Sequence, residues 1–357
     1  MKIDTEISQI RLLITTSCNC QCSYCLIAKT DELMSESIAR SAITTLIRSQ
    51  GNNKMILIYG GEPLLNAGLI KKITKFSIDL ANKTKKQLKI SIATNGLLLN
   101  KPILDFFKRN GVLCSISSAG IDALHDKFRV RRNGSGTSKE LSNKTKLALN
   151  TLSADQISAI LCVHPSQINS LFDNFKFLLR QGFKNFNIEI IFDKGWTHSK
   201  AAIFTREFNK LLSFIYAQIS AKNYIYINPL NRAFQNKDKD NVKQSCGLLE
   251  NCLEVWPNGG LSFYPYINGK YKSTSNVGNV TKGLDNNFAE CDFIVNKLKC
   301  NACCEHYYSR LPKLHGRHIL ANRDHISRIW ATSIQKEAKK SKNFDTYIKK
   351  VKIRKFE

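Results

Sequence analysis

Short runs of β-branched and other apolar residues alternate with longer amphipathic segments along the first two thirds of the chain. This alternation is typical of βα units that build a parallel sheet. The predicted strands are 9–15, 55–59, 88–93, 112–117, 157–163 and 186–192, and the predicted helices are 35–49, 66–85, 101–110, 139–152 and 167–181. These repeats predict an α/β fold, a partial (β/α)6 TIM barrel.

The pattern changes in the last third of the chain. A long helical segment, 200–221, and a short strand, 224–227, are followed by a cysteine-rich region and then by a basic stretch. We therefore expect a barrel over 1–232, a small cysteine-rich domain over 233–320 and a basic helical tail over 321–357.

Composition narrows the class of protein. The chain has 357 residues, 43% of them hydrophobic, which is ample for a core, and no apolar run approaches the roughly 20 residues that cross a bilayer. Its 12 cysteines do not suggest disulfides, because the chain is long, starts without an apolar signal segment and clusters its thiols at metal-ligand spacings. We expect a reducing, cytoplasmic setting.

The net charge of +26 favours attraction to polyanions such as nucleic acid, acidic peptides or anionic membrane surfaces. The charge is densest over 310–357, where 14 lysines and arginines stand against four acids. A solvated lysine-rich surface is the simpler interpretation for the body of the chain. Composition leaves the role of the tail open.

Four thiols lie in one loop directly after the first predicted strand. Cys18, Cys22 and Cys25 form a Cys-x3-Cys-x2-Cys pattern, and Cys20 is an extra thiol within it. A [4Fe-4S] cluster normally takes four thiolates, so three close ligands would leave one iron open for another group. Structural zinc is the alternative, because closely spaced cysteines also bind zinc.

The cysteine loop, together with Asn19 and Tyr24, resembles that of the radical S-adenosylmethionine (SAM) enzymes. The resemblance implies that the three spaced cysteines hold a catalytic [4Fe-4S] cluster whose fourth iron is chelated by SAM. It implies reductive cleavage of SAM to a 5'-deoxyadenosyl radical that abstracts hydrogen from a substrate, with an external electron donor such as flavodoxin or ferredoxin. Cys20 is then a bystander, or it replaces a neighbouring ligand.

The segment Gly60-Gly61-Glu62-Pro63 follows the second predicted strand. Its glycines would let the backbone approach a ligand closely, and Glu62 brings a carboxylate suited to an ammonium group. In the resemblance this segment receives the amino group of SAM, one βα unit after the cysteines as it is here. Taken alone, the four residues also fit an ordinary turn.

Further matches follow the third and fourth predicted strands. Asn95 lies in a segment common in the peptide-modifying branch of the family, although a plain Asn-Gly turn fits nearly as well. The resemblance implies that Ser117 contacts the SAM ribose and that Arg129 pairs with the SAM carboxylate or with a backbone group near the cluster. A structural salt bridge is the alternative for Arg129. Ala119 stands where the family usually has aspartate, so one polar contact is missing.

Six cysteines lie in the last third of the chain, and their order resembles the SPASM or Twitch extension of radical SAM enzymes, which binds auxiliary iron-sulfur clusters. Tyr266 stands where the family has a cysteine, so we expect one auxiliary [4Fe-4S] cluster rather than two. A structural zinc or a metal-free subdomain is the alternative. The expected ligands are Cys246, Cys300, Cys303 and a fourth from Cys252, Cys291 or Cys304.

Together these motifs predict a radical SAM oxidoreductase that modifies a ribosomally made peptide or protein, by crosslinking, thioether formation or oxidation of a residue. Because no separate peptide-binding domain precedes the first strand, an acidic leader peptide would bind to the extension, the basic tail or a partner chain. Two alternatives stay open. One is a radical SAM dehydrogenase of a small metabolite, and the other is a zinc-stabilised nucleic-acid-binding protein without catalysis.

Overall fold

The predicted alternation of strands and helices is present in the computed structural model, which describes residues 7–191, 195–235, 252–262, 276–284 and 316–353. The strands are β1 (Gln9–Thr15), β2 (Asn53–Gly60), β3 (Gln87–Thr94), β4 (Leu113–Ser118), β5 (Ile157–Val163), β6 (Asn185–Ile190), β7 (Tyr226–Ile227), β8 (Cys252–Val255), β9 (Gly260–Ser262), β10 (Asn276–Asn279) and β11 (Gly283–Leu284). The helices are α1 (Glu36–Arg48), α2 (Ala67–Lys83), α3 (Lys101–Arg109), α4 (Asp122–Asp126), α5 (Ser138–Thr151), α6 (Leu171–Gln181), α7 (His198–Ser220), α8 (Asn228–Gln235), α9 (Gly316–Ala338) and α10 (Lys342–Ile353).

Most predicted elements lie within a few residues of the observed ones. The helix predicted over 167–181 is an exception, because residues Pro165–Ser170 form a separate 3₁₀ helix and α6 begins only at Leu171. The strand predicted over 224–227 is reduced to two residues, Tyr226–Ile227. The elements α4, α8 and β8 to β11 have no counterpart among the predicted ones, because each is too short to show a clear periodicity.

Polar side chains fix where several helices begin. Ser35, Asn100 and Thr197 precede α1, α3 and α7, and each accepts a hydrogen bond from the backbone N–H three residues later, at 3.3, 3.0 and 3.3 Å. Such caps satisfy one of the N–H groups that have no partner within the helix. At the other end of α6, Gly182 adopts the left-handed conformation with φ +115° and ends the helix.

The chain divides into two compact units. Unit 1 comprises Met1–Ser115, Arg129–Leu152 and Lys243–Cys303, and unit 2 comprises Ile116–Phe128, Ser153–Val242 and Cys304–Glu357. The boundary falls within β4. Among the helices of the described ranges, none combines the length and the apolar character that a bilayer span requires.

In unit 1 the strands follow the order β11-β10-β9-β8-β1-β2-β3, and the first half of β4 comes next. β1 pairs in parallel with both β2 and β8, and β2 pairs in parallel with β3, whereas β8 to β11 pair antiparallel in succession. Parallel strands end at the same edge of a sheet, where functional groups of α/β proteins collect. The cysteine loop, the segment after β2 and Asn95 after β3 therefore start from one edge.

In unit 2 the strands β5, β6 and β7 pair in parallel, and the C-terminal helices bond to the backbone of this region. The buried Arg323 of α9 donates from Nη1 to Ile188 O at 3.1 Å, and Tyr347 of α10 donates to Ile225 O at 3.2 Å. Tyr347 also stacks on Tyr226, with ring centroids 5.4 Å apart. The helices of the basic C-terminal region are thus packed parts of unit 2.

Gly60 and Gly61 are required by the backbone that leads into the cysteine loop. A Cβ on Gly61 would lie 2.1 Å from Ser17 O, and one on Gly60, whose φ is +147°, would lie 2.3 Å from Thr15 O. Only glycine fits at such distances. We expected these glycines to admit a ligand, but the neighbouring backbone alone already requires them.

Gly61→Ala is therefore expected to destabilise the protein, because the Ser17 carbonyl has to move away from the added methyl group. Overpacking of this kind costs about 2 kcal/mol in the free energy of unfolding. The midpoint of urea denaturation measures the loss. Gly68→Ala is the matched control, because Gly68 lies in the first turn of α2 with nothing within 4 Å of an added Cβ. Equal midpoints for the two variants would contradict the steric argument.

Glu254 is a carboxyl buried on β8, next to β1. Glu254 is 1% exposed, and neither of its carboxyl oxygens has a hydrogen-bond partner among the described residues. Arg11 is its register partner on β1. Burial raises the pKa of Glu254 well above its usual range, and the positive charge of Arg11 opposes this only in part.

This burial gives the free energy of unfolding a predictable pH dependence. The unfolded chain releases the Glu254 proton near its ordinary pKa of 4.5, whereas the folded chain keeps the proton to higher pH. Stability is therefore lost as pH rises above the unfolded pKa. Because Glu254→Gln removes this titration, the variant should become progressively more stable than the wild-type protein as pH rises from about 5 to about 8.

Denaturant titrations across this pH range test the expectation, with Glu36→Gln as the control. Lys72 and Arg40 lower the pKa of the half-buried Glu36, so its contribution to the free energy of unfolding changes only below the ordinary pKa of 4.5. The Glu36→Gln curve should run parallel to that of the wild-type protein. A pH-independent difference between wild type and Glu254→Gln would rule out a buried, titrating carboxyl.

Candidate functional site

The cysteine loop leaves the carboxyl end of β1 and exposes its thiols to different degrees. Cys18 and Cys20 are buried, Cys22 is half-buried and Cys25 is exposed. A turn closed by a hydrogen bond from Cys25 N to Cys22 O, at 3.1 Å, connects the last two. One end of the loop is thus packed inside unit 1, and the other end faces solvent.

The sulfur of Cys18 lies among hydrogen-bond donors. Cys18 Sγ accepts from the backbone N–H of Cys20 at 3.3 Å, and Asn95 Nδ2 lies 3.8 Å from it. A hydrogen bond from the Cys20 thiol, followed in importance by this backbone N–H and the positive charges of Lys29 and Arg129, lowers the pKa of Cys18 to about 6 despite its burial. These surroundings therefore favour the thiolate of Cys18, the form that binds metals.

Cys20 behaves differently from the three predicted ligands. The hydrogen bond to Cys18, burial and the negative charge of the Cys18 thiolate all raise the pKa of Cys20 far above its usual range. The same interaction therefore favours the thiol form of Cys20 and the thiolate form of Cys18. A protonated, buried thiol is a poor metal ligand, so this environment supports the interpretation of Cys20 as a bystander.

Asn95 connects the end of β3 to the cysteine loop. Its Nδ2 donates to Asn19 Oδ1 at 2.7 Å and lies 3.4 Å from Cys20 Sγ, while its Oδ1 accepts from Leu97 N at 3.0 Å. The side chain is thus engaged with the loop that carries the thiols. Its expected contact with the cofactor stays a prediction.

Glu62 is fully buried at the end of β2, where it caps the 3₁₀ helix that starts at Pro63. Its Oε1 accepts from Thr94 Oγ1 at 2.7 Å and from Leu64 N at 3.0 Å, and its Oε2 accepts from Asn95 N at 2.7 Å. Burial raises the pKa of Glu62 to about 7 against the opposite effect of these donors. The carboxylate links the ends of β2 and β3, and its contact with the amino group of SAM stays a prediction.

Three basic side chains surround the cysteine loop. Arg129 Nη1 donates to Tyr24 Oη at 2.9 Å, Arg132 Nε donates to Cys18 O at 2.9 Å, and Lys29 Nζ donates to a carbonyl of the same loop. Lys29 and Arg132 were not among the predicted site residues, and the basic run over 129–132 was the only signal for the latter. Their positive charge suits an anionic group held by thiolates.

Ser117 belongs to unit 2 and is half-buried near the end of β4. The turn that follows is fixed by side chains, since Asn174 Oδ1 accepts from Ile121 N at 3.1 Å and His125 Nδ1 accepts from Ala119 N at 3.3 Å. Ala119, which replaces the aspartate of the family, is buried. The contact of Ser117 with the SAM ribose stays a prediction.

Of the six cysteines in the last third of the chain, Cys252 lies within the described residues. Cys252 is buried on β8. The turn after β8 is closed by a hydrogen bond from Gly259 N to Trp256 O at 2.8 Å, and β8 and β9 form the antiparallel pair that flanks it. The remaining positions of this motif lie outside the described residues, namely Cys246, Cys291, Cys300, Cys303, Cys304 and Tyr266. The auxiliary cluster therefore stays a prediction.

The donor set of the cysteine loop fits an iron-sulfur cluster in its chemistry. Three thiols with the required spacing lie on one loop, the buried Cys18 Sγ accepts a hydrogen bond from Cys20 N, and basic side chains stand beside the loop. Within the ranges that the structure describes, no three cysteine, histidine, aspartate or glutamate side chains converge on one metal ion. The residues expected to hold the cluster are Cys18, Cys22 and Cys25.

Relatives of this chain have different activities. An uncharacterised protein of Methanocaldococcus jannaschii is 29% identical over 73% of this chain and 89% of its own length. A GTP 3',8-cyclase of Staphylococcus epidermidis is 26% identical over 67% of this chain and 71% of its own length. A cysteine-type anaerobic sulfatase-maturating enzyme of Clostridium novyi is 26% identical over 48% of this chain, which spans about half of that enzyme, 47%.

Solved structures share the fold. The enzyme anSMEcpe with bound AdoMet and Kp18Cys peptide superposes with a TM-score of 0.69 at 17% identity, over 86% of this chain and 88% of its own. Streptococcus suis SuiB bound to its precursor peptide SuiA superposes with a TM-score of 0.56 at 12% identity, over 80% of this chain and 66% of its own. At these identities the likeness establishes the fold, which confirms the predicted α/β class as an open, partial barrel with a C-terminal extension.

The family model of the radical SAM superfamily matches residues 12–197, which is more than half of the chain. This range contains the cysteine loop, the segment after β2, Asn95 and Ser117 in the order predicted from the sequence. The chain therefore belongs to the radical SAM superfamily.

Proposed function

We propose that this radical SAM enzyme acts on a peptide or protein and oxidises or crosslinks one of its side chains. A [4Fe-4S] cluster on Cys18, Cys22 and Cys25, with SAM at the open iron, would supply the electron that releases a 5'-deoxyadenosyl radical. The observation that carries the proposal is the cysteine loop, in which Cys18 Sγ accepts from Cys20 N and basic side chains hold the backbone, on a fold shared with peptide-bound enzymes.

The residues around the loop support this function by preparing the ligands. Arg132 and Lys29 hold loop carbonyls, so the backbone that carries the thiols is fixed from outside. The positive charges of Lys29 and Arg129 also favour the ionised form of the buried Cys18 thiol. The chain thereby provides a positive environment into which an anionic cluster can be bound.

A peptide substrate is supported by likeness rather than by a contact. The fold is shared over most of this chain with two enzymes whose structures hold peptides, and a sulfatase-maturating enzyme is among the relatives. The net charge of +26 suits an acidic peptide. Both features point to the same substrate class.

A nucleotide substrate is the second candidate, and one observation favours it. The GTP 3',8-cyclase of S. epidermidis matches a larger share of this chain than the sulfatase-maturating enzyme does, 67% against 48%, at the same identity of 26%. A basic protein also suits a triphosphate. A nucleotide is a small metabolite, so this candidate is a specific form of the small-metabolite alternative given in the sequence analysis.

Cys22→Ala should abolish SAM cleavage, because it removes one of the thiolates expected to hold the cluster. We expect a loss of more than about 100-fold, since changes in outer-shell partners alone cost up to that much. Production of 5'-deoxyadenosine by anaerobically reconstituted protein with dithionite measures it. Cys162→Ala is the control, because Cys162 is a buried thiol within β5. Full cleavage by Cys22→Ala would refute the ligand assignment.

Competing substrates separate the two candidates. Peptides encoded by short open reading frames beside the gene, and GTP in a parallel reaction, are each incubated with reduced enzyme and SAM. Loss of two hydrogens from a peptide, seen by mass spectrometry, is expected. Consumption of GTP with all peptides unchanged would favour the nucleotide candidate and overturn the peptide proposal.

A further inference from the structure

Cys18 differs from the other two expected ligands in the surroundings of its sulfur. It is buried, whereas Cys22 is half-buried and Cys25 is exposed. Cys18 Sγ accepts from Cys20 N at 3.3 Å and has Asn95 Nδ2 at 3.8 Å. The Cys20 sulfur lies beside this group, since the same Asn95 Nδ2 stands 3.4 Å from Cys20 Sγ. One ligand sulfur of the three is therefore placed among directed donors.

The orientation of the Asn95 amide is fixed by its other bonds. Its backbone N donates to Glu62 Oε2 at 2.7 Å, and its Oδ1 accepts from Leu97 N at 3.0 Å. Because Oδ1 already faces an N–H group, the amide nitrogen has to be the atom on the other side. That side faces Asn19 Oδ1 and the sulfurs of Cys18 and Cys20.

Hydrogen bonds to ligand sulfurs change the reduction potential of an iron-sulfur cluster. They withdraw charge from the thiolate and so stabilise the state that holds the additional electron. An amide N–H is a stronger hydrogen-bond donor than a thiol S–H. Both hydrogen bonds are electrostatically stronger where solvent is excluded. Cys18, the buried ligand, is thus the place where such donors have the largest effect.

We propose that Cys20 and Asn95 are positioning residues for the Cys18 ligand and raise the reduction potential of the cluster through hydrogen bonds to the Cys18 sulfur. The inference rests on the proposed function, because it requires Cys18 to hold the cluster. It gives the extra thiol of the loop a role as a donor, not as a ligand.

The test is a redox titration of anaerobically reconstituted full-length protein, followed by electron paramagnetic resonance, with iron content measured on each sample. Asn95→Leu keeps a side chain of similar size and removes the amide donor without adding a charge, and Cys20→Ala removes the thiol. Both should bind as much iron as the wild-type protein. Each should lower the potential, and the double variant should lower the equilibrium constant of reduction at least tenfold, about 59 mV for one electron.

Conservative and control variants separate this effect from a loss of structure. Cys20→Ser keeps a donor of similar size and should return the potential toward the wild-type value. Asn100→Ala removes the cap of α3 and should lower the melting temperature while the potential stays unchanged. Cys162→Ala should change neither iron content nor potential.

Two results would overturn the inference while leaving the proposed function intact. The first is an iron-loaded double variant with the potential of the wild-type protein. The second is a Cys20→Ala variant that loses iron, which would make Cys20 a ligand. Failure of the wild-type protein itself to take up a cluster would defeat the proposed function, and this inference with it.

Discussion

The close approach of the β2 backbone to the end of β1 is the constraint on which the cysteine loop depends. Gly61 lies so near Ser17 O that any side chain would overlap with it, and the N–H groups of Gly61 and Glu62 donate to Thr15 O and Ser17 O, both at 2.8 Å. These contacts fix the backbone one residue before Cys18. Ligands that must be placed within a fraction of an ångström need such support from rigid elements.

Glu62 extends this constraint to the third strand. A buried carboxylate is costly unless its oxygens are hydrogen-bonded, and Thr94, Leu64 and Asn95 provide the donors. Loss of any one donor would leave the group partly unsatisfied, so the ends of β2 and β3 are held as a unit. Asn95 then reaches Asn19 at 2.7 Å, and one connected set of hydrogen bonds runs from β2 through β3 to the thiol loop.

Local properties of the sequence predicted the strands, most of the helices and the thiol loop, because periodicity and cysteine spacing are themselves local. Contacts between distant parts of the chain were not predictable in this way. β8 pairs with β1 although the two strands are far apart in the sequence, and the basic run that contains Arg132 does not show that its side chain reaches the carbonyl of Cys18. The need for glycine at Gly60 and Gly61 was visible in the sequence, but the approach of the Thr15 and Ser17 carbonyls was not, because a sequence does not show which neighbour lies close.

The basic residues of the C-terminal region lie on packed helices, and this changes how their charge can be used in binding. Tyr347 is buried and anchors α10, while Lys349 and Lys350 are exposed on the same helix, and Lys349 pairs with Asp345 at 2.7 Å. Single exposed pairs contribute little, and salt screens them. A basic surface on an ordered helix nevertheless costs less entropy to engage than a flexible tail. An acidic peptide or a triphosphate would therefore meet preformed positive charge, so the net charge of +26 does not by itself favour nucleic acid.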